Sequence, residues 1–312
     1  VGSWSPSLGR NLPRPDAPVY RRQLFPDPLL GESLDTGTTV WENEGVRLWH
    51  QGDDIGIVSF KTKMNTINDA VLDGLQHCIG LAEQQFRGLV IWQSGEPFSA
   101  GADLKGALSQ LQQGQITEFD AMVAKFQATS MRIKYSLVRV VAAVRGMAFG
   151  GGCEFQMHSA RTVAALESYI GLVEAGVGLL PAGGGLKEVA LRAARSSIDG
   201  DPFNAIKKMF ETIAMGKVSG SALEAKQLGL LRADDVIVFN SFELLHVAKQ
   251  VARSMAECGW RPPLPARDIT VAGDVGTASL KMMLVNMLEG RFISEHDFEV
   301  GSRIADTLCG GA

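Results

Sequence analysis

The feature that most constrains the fold is a recurring order of strand, loop and helix in the middle of the chain. Apolar runs of strand length lie at 87–94, 139–146 and 161–166. The first two end in the glycine-bearing loops FSAGADLK and AFGGGCE, and each loop opens a predicted helix. This alternation indicates an α/β architecture. Because open α/β sheets build their sites at the carboxyl ends of strands, these two loops are expected to carry the functional site.

A run of three glycines, Gly150 to Gly152, marks the second of these loops. Glycine loses more backbone freedom on folding than any other residue, so the run indicates positive φ or close approach by another group. Glu154 follows at the start of the predicted helix, and Glu174 lies twenty residues further along. The stretch therefore predicts a site with backbone N–H groups on one side and a proton carrier on the other.

Composition excludes several classes of protein. The 312 residues carry a net charge of −4 and are 46% apolar, which argues against a general nucleic-acid binder and favours a large core. No apolar run approaches the roughly 20 residues of a membrane span. The spacing of the four cysteines supports neither a metal site nor a disulfide framework, so reduced thiols and a cytoplasmic location are expected.

Pattern divides the chain into three parts. Residues 1–38 are rich in proline and predict a connector or arm, residues 39–232 an α/β core, and residues 233–312 a helical C-terminal region. Within the core, Asn68 predicts a helix N-cap, and Ser221 with Glu224 predicts a capping box. Apolar residues in 116–135 have helical spacing and predict a core-facing helix, although an acyl chain could use the same methionines and phenylalanines.

The two glycine loops can act together. The N–H of Ala102 and the N–H of Gly151 each lie at a predicted strand-to-helix turn. Two such groups from adjacent turns can converge on one oxygen and stabilise an enolate or thioester oxyanion.

Three stretches, FSAGADLK, AAVRGMAFGGGCE and VEAGVGLLPAGGG, closely resemble the signature motifs of the crotonase (enoyl-CoA hydratase/isomerase) superfamily. The resemblance runs from about Val46 to Leu231 and implies a crotonase-like spiral of ββα units with a helical C-terminal region. The flanks are similar to the hydratase part of bacterial fusions in which a 3-hydroxyacyl-CoA dehydrogenase precedes this domain. The chain opens on Val1 rather than Met, which is compatible with a longer polypeptide.

By motif, the resemblance implies that Ala102 and Gly151 are the oxyanion donors and that Glu154 and Glu174 are the catalytic acids. Two carboxyl groups that hold one water can activate it and deliver a proton, provided that one is ionised and the other protonated. The resemblance also implies contacts with the CoA moiety. The expected contact residues are Lys61, Lys63, Phe98, Ala100, Asp103, Leu104 and Lys105.

The retention of both acids favours hydration of 2-trans-enoyl-CoA to 3-hydroxyacyl-CoA in fatty-acid β-oxidation. Two alternatives stay open: a 3,2-enoyl-CoA isomerase, for which one acid suffices, and a non-catalytic acyl-CoA-binding module of a larger complex. The partner is then an acyl-CoA thioester, and no cofactor or metal is expected within this chain. NAD would enter only through a dehydrogenase domain outside it. The resemblance further implies a homo-oligomer of trimer type, or association or fusion with a dehydrogenase domain.

Overall fold

A computed structural model of the protein describes residues 2–13, 34–106, 112–197 and 200–311. The chain divides into two compact units, Val1–Leu34 and Asp35–Ala312. In the first unit, strand β1 (Gly2–Ser5) pairs with β2 (Arg10–Pro13) in an antiparallel hairpin. The rest of the proline-rich stretch predicted as a connector, residues 14–33, lies outside the described residues.

The second unit is organised around a seven-stranded sheet whose strands lie in chain order, β3 to β9. Its first three strands are antiparallel, as the predicted hairpin at 46–61 requires, and the strands from β5 onward run parallel. The strands are β3 (Thr38–Glu42), β4 (Val46–His50), β5 (Ile55–Phe60), β6 (Gly88–Ile91), β7 (Arg139–Phe149), β8 (Arg161–Gly171) and β9 (Val236–Val238).

Helices connect and cover these strands. They are α1 (Asp69–Gln85), α2 (Ile116–Lys134), α3 (Gly151–His158), α4 (Gly185–Ser196), α5 (Phe203–Ala214), α6 (Ala222–Gln227), α7 (Leu244–Glu257), α8 (Gly273–Glu289) and α9 (Glu295–Cys309). Short 3₁₀ turns lie at Lys63–Asn65, Glu174–Val177 and Ser241–Glu243. The combination of a sheet whose last five strands run parallel with covering helices confirms the predicted α/β class.

Two predicted helix starts have different outcomes. The side chain of Asn68 accepts a hydrogen bond of 3.0 Å from the N–H of Val71, which confirms the N-cap of α1. At α6, Ser221 accepts from the N–H of Glu224, but the Glu224 carboxylate accepts from Gly220 N instead of Ser221 N. The predicted capping box is therefore only half formed, because the preceding N–H offers the carboxylate a 2.7 Å bond.

Strands β7 and β8 are longer than predicted, and their second halves position the two glycine loops that were expected to carry the site. A register shift between Val144 and Gly146 bends β7, and Gly146 takes a φ of +64°. Beyond the bend, residues 146–149 pair with 168–171, and Ser99 bonds to β7 through its own N–H and carbonyl oxygen at 3.1 and 3.0 Å. The sequence pattern breaks at Gly146, but a bulge re-aims the strand without ending it. The two glycine loops are consequently held side by side.

Candidate active site

The triple glycine that links β7 to α3 has a steric reason at each position. Gly150 has a φ of +50°, a conformation that side chains with a Cβ rarely adopt. A Cβ on Gly151 would overlap the Phe126 ring of α2, and one on Gly152 would lie 2.7 Å from the Cβ of Ser99. The loop backbone therefore packs directly against the Phe126 ring and Ser99.

The N–H groups of Ala102 and Gly151 lie in loops that touch. Gly101 has a φ of +94°, and a Cβ built on it would lie 3.5 Å from the backbone nitrogen of Gly151. Across residues 2–13, 34–106, 112–197 and 200–311, neither the Ala102 N–H nor the Gly151 N–H donates to a protein acceptor. Both residues line the same cavity, so two unused donors border one space.

That cavity has a volume of about 420 Å³ and combines polar and apolar walls. Glu154 and Glu174 line it together with Ala102 and Gly151. Helix α2 supplies an apolar wall, and Val300 of α9 closes part of the far side. A ligand in this cavity would meet two backbone donors, two carboxyl groups and an apolar surface.

Glu154 lies in the first turn of α3 and is only 2% exposed. Its Oε1 accepts a hydrogen bond of 2.8 Å from the N–H of Gly185 at the start of α4. Burial raises the pKa of Glu154 to about 7, although the N–H groups of Gly185 and Gly183 and the charge of Lys187 oppose that rise. A carboxyl with this pKa can gain or lose a proton near neutral pH.

Glu174 opens the 3₁₀ turn after β8 and is less well bonded. Its Oε2 is buried and has no hydrogen-bond partner within the described parts of the chain. Burial, with the charge of Glu154 as the second cause, raises the pKa of Glu174 well above its ordinary value. Since two buried carboxyl groups on one cavity disfavour double ionisation, the loss of a proton from one of them opposes its loss from the other.

The residues expected to contact CoA along the first glycine loop are only partly brought together. Leu104 lines the 420 Å³ cavity, and Asp103 lines an adjoining cavity of about 270 Å³ that shares Ala102 with it. Phe98 is buried in the hydrophobic core, and the N–H of Ala100 donates to the carbonyl oxygen of Met64. Their roles in binding stay predictions.

The three lysines proposed as CoA contacts lie at the surface. Lys61 Nζ donates to Glu42 Oε2 at 3.0 Å and to the carbonyl oxygen of Asn43 at 2.8 Å, and Lys61 lines a separate cavity of about 310 Å³. Lys63 and Lys105 are exposed. These two contacts use two of the three N–H donors of Lys61, which leaves one donor for a phosphate.

Helix α2 contributes more to the site than its pattern indicates. Phe119, Met122 and Val123 line the cavity, whereas Ile116 is 69% exposed and only Phe126 of the predicted stripe is buried. The methionine and phenylalanines in this stripe were the sequence signal that could have indicated a cavity wall.

In the described part of the chain, no group of three His, Cys, Asp or Glu residues could hold a metal, and no helix is long and apolar enough to span a membrane.

Comparison with known proteins agrees with the motifs. The profile of the family described as Enoyl-CoA hydratase/isomerase matches residues 52–258. A probable 3-hydroxyacyl-CoA dehydrogenase of Bacillus subtilis is 41% identical over 277 residues, which cover 89% of this chain and 35% of that protein. A putative fatty acid oxidation complex trifunctional enzyme of Rickettsia felis is 35% identical over 188 residues, which cover 60% of this chain and 25% of that protein.

The chain thus spans about a third and about a quarter of the length of these two relatives. A crystal structure of an enoyl-CoA hydratase from Bacillus anthracis superposes with a TM-score of 0.56 at 21% identity, covering 84% of this chain and 89% of that one. That likeness concerns the fold, and it confirms the crotonase-like architecture expected from the three motifs.

Proposed function

The chain belongs to the enoyl-CoA hydratase/isomerase family, and we propose that it adds water to 2-trans-enoyl-CoA to give 3-hydroxyacyl-CoA in fatty-acid β-oxidation. The observation that carries the proposal is the meeting of two buried carboxyl groups and two unused backbone N–H groups on one cavity. An apolar wall beside them suits an acyl chain.

The backbone donors stabilise the charge that develops on the substrate. In the proposed reaction the thioester oxygen accepts from the N–H groups of Ala102 and Gly151, and it becomes an enolate oxygen as water adds to C3. Each donor of this kind contributes a factor of roughly 10² to 10³ in rate. The positive end of α3, which begins at Gly151, adds to the same field.

The carboxyl groups move the two protons. Glu154, the more readily ionised of the pair, takes a proton from water as the oxygen bonds to C3. Glu174 gives its proton to C2, so that one water molecule is added across the double bond and the pair still holds one proton. Such acid–base assistance contributes roughly 10² to 10⁴ in rate. The mixed protonation state of the pair is what this step needs.

The second carboxyl distinguishes hydration from its nearest alternative. A 3,2-enoyl-CoA isomerase needs one proton carrier, and a module that only holds acyl-CoA needs none. Burying the Oε2 of Glu174 without a partner costs free energy, and a site that keeps such a group favours a reaction that uses it. A joined dehydrogenase activity, its NAD, a cytoplasmic location and a trimer-type assembly stay predictions.

The test follows the absorbance of the conjugated enoyl thioester, which hydration removes. Glu154→Gln and Glu174→Gln should each lower kcat by a factor of roughly 10² to 10⁴. Glu211→Gln, at an exposed position of α5, is the matched control and should retain activity. Hydration that survives both glutamine substitutions would contradict the mechanism, and conversion of 3-enoyl-CoA without hydration would favour the isomerase.

A further inference from the structure

A cluster of charged side chains packs against the helix that carries Glu154. Lys134 ends α2, His158 ends α3, and Lys187 with Glu188 lies in the first turn of α4. The side chains of Lys134, His158 and Glu188 are 10%, 0% and 7% exposed. None of these four residues lines the cavity, so the proposed reaction does not account for them.

The Lys187 side chain is 42% exposed, but its ammonium group lies against three buried or half-buried partners. Its Nζ lies 3.0 Å from Glu188 Oε1, 3.2 Å from His158 Nε2 and 3.3 Å from Met131 Sδ. An ammonium group donates and cannot accept, so Lys187 donates to Met131 Sδ and His158 Nε2, and it forms an ion pair with Glu188. Lys187 thereby joins α2, α3 and α4 at one point.

These contacts fix the protonation of His158. Its Nδ1 lies 2.6 Å from the backbone carbonyl oxygen of Glu154, which can only accept, so Nδ1 carries the hydrogen. Burial lowers the pKa of His158 to about 4, so the ring is neutral and its Nε2 accepts from Lys187. A chain of hydrogen bonds therefore runs from Lys187 through His158 to the backbone of Glu154.

The same contacts hold the start of α4 against Glu154. Gly184 has a φ of +109°, and a Cβ on it would lie 3.1 Å from Cε1 of the His158 ring. The next residue, Gly185, donates its N–H to the Glu154 carboxylate. A shift of α4 away from His158 would therefore move the donor that orients the Glu154 side chain.

The cluster of Lys134, His158, Lys187 and Glu188 carries an excess of one positive charge. Lys134 and Glu188 form an ion pair, His158 is neutral, and Lys187 supplies the remaining ammonium. The charged and titratable groups on the elements packed around Glu154 are Glu174 of the 3₁₀ turn, Lys134 of α2, Lys187, Glu188 and Arg192 of α4, and Cys153 and His158 of its own helix.

We propose that Lys187 is a positioning residue, which holds α4 against α3 through His158 and whose positive charge adds to the Gly183 and Gly185 N–H groups in favouring the ionised form of Glu154. Its catalytic consequence rests on the proposed hydration. Its effect on the proton of Glu154 does not, because that effect exists without substrate.

The test titrates Glu154 directly by NMR of protein carrying ¹³C-carboxyl glutamate, with the resonance assigned through Glu154→Gln. Lys187→Met removes both the charge and the donor, Lys187→Gln removes the charge but keeps a donor, and Lys187→Arg keeps the charge. Lys207→Met removes an exposed lysine of α5 and controls for net charge. Both neutral Lys187 variants should raise the midpoint of the Glu154 titration, and the other two should leave it in place.

An unchanged midpoint in folded Lys187→Gln would overturn the proposal, whether or not the protein hydrates enoyl-CoA. If the neutral variants fail to fold, ¹⁵N NMR of His158 in the unaltered protein decides, since a hydrogen on Nε2 would break the chain of bonds and refute the assignment. In turnover, the acidic limb of kcat/KM should move to higher pH with the Glu154 midpoint. A structural role alone would lower the rate equally at every pH.

Discussion

Relative to the wild-type protein, the chain with Glu154 replaced by glutamine should become more stable as the pH rises. The pKa of Glu154 is raised from 4.5 to about 7 in the folded protein, chiefly by burial. Folding therefore favours the protonated carboxyl. Its contribution to stability is fully present below pH 4.5 and is lost progressively as the pH rises to about 7. Glutamine does not titrate, so the variant escapes this loss.

The magnitude follows from the width of that window. One pKa unit corresponds to about 1.4 kcal/mol, so the wild-type protein loses up to about 3 kcal/mol of unfolding free energy that the variant keeps. The glutamine oxygen can still accept from Gly185 N–H, while its amide group faces Gly183 N–H less favourably. That mismatch is independent of pH and leaves the slope unchanged.

The assay is urea unfolding of the wild-type protein and Glu154→Gln at a series of values between about pH 5 and pH 8. Their difference in unfolding free energy should change in favour of the variant across this range. Glu211→Gln serves as the control and should give a flat difference, because Glu211 is exposed. A flat difference for Glu154→Gln as well would refute the assignment of a raised pKa to this carboxyl.

Two further substitutions, one of them with a matched control, test the packing behind the site. Gly151→Ala should destabilise the fold by about 1 to 3 kcal/mol in urea unfolding, because its Cβ would overlap the Phe126 ring. Gly80→Ala in α1, where a Cβ meets nothing within 4 Å, should instead stabilise by about 0.5 to 1 kcal/mol, and equal effects of the two would count against the steric argument. Glu188→Gln should cost roughly 3 to 5 kcal/mol at neutral pH, because it leaves Lys134 buried without a counter-charge. A cost below about 1 kcal/mol would mean that water reaches the ion pair.

Local features of the sequence predicted much of the fold. The alternation of strands, loops and helices indicated the α/β class, and Asn68 marked the start of α1 correctly. Where the prediction ended too early, at Gly146, the reason was a bulge after which β7 continues to Phe149. From the sequence alone, a glycine at this position predicts the end of the strand. The pairing with β8 that extends the strand is a tertiary contact, which the local sequence does not reveal.

The candidate site was predictable where its residues lie within short motifs. The cavity brings together Ala102, Gly151, Glu154 and Glu174, although their roles stay predictions. The contacts of Lys187 could not be predicted from the sequence, because they join residues from three helices and depend on how those helices pack. The acyl-facing side of α2 was ambiguous for a similar reason, since core and cavity positions share the same apolar spacing.

The wall formed by α9 has a consequence for how such proteins diversify. Val300 borders the cavity, and His296 Nε2 lies 2.7 Å from the carbonyl oxygen of Gly178, in the segment that follows Glu174. This helix is far along the chain from every residue assigned to proton transfer or oxyanion binding. The part of the cavity wall at Val300 is thus encoded far from the reactive groups, whereas Leu104 and Leu179 form other parts of the wall beside them. Substitutions in α9 near Val300 can therefore change which molecules fit the cavity while the reactive groups stay unchanged.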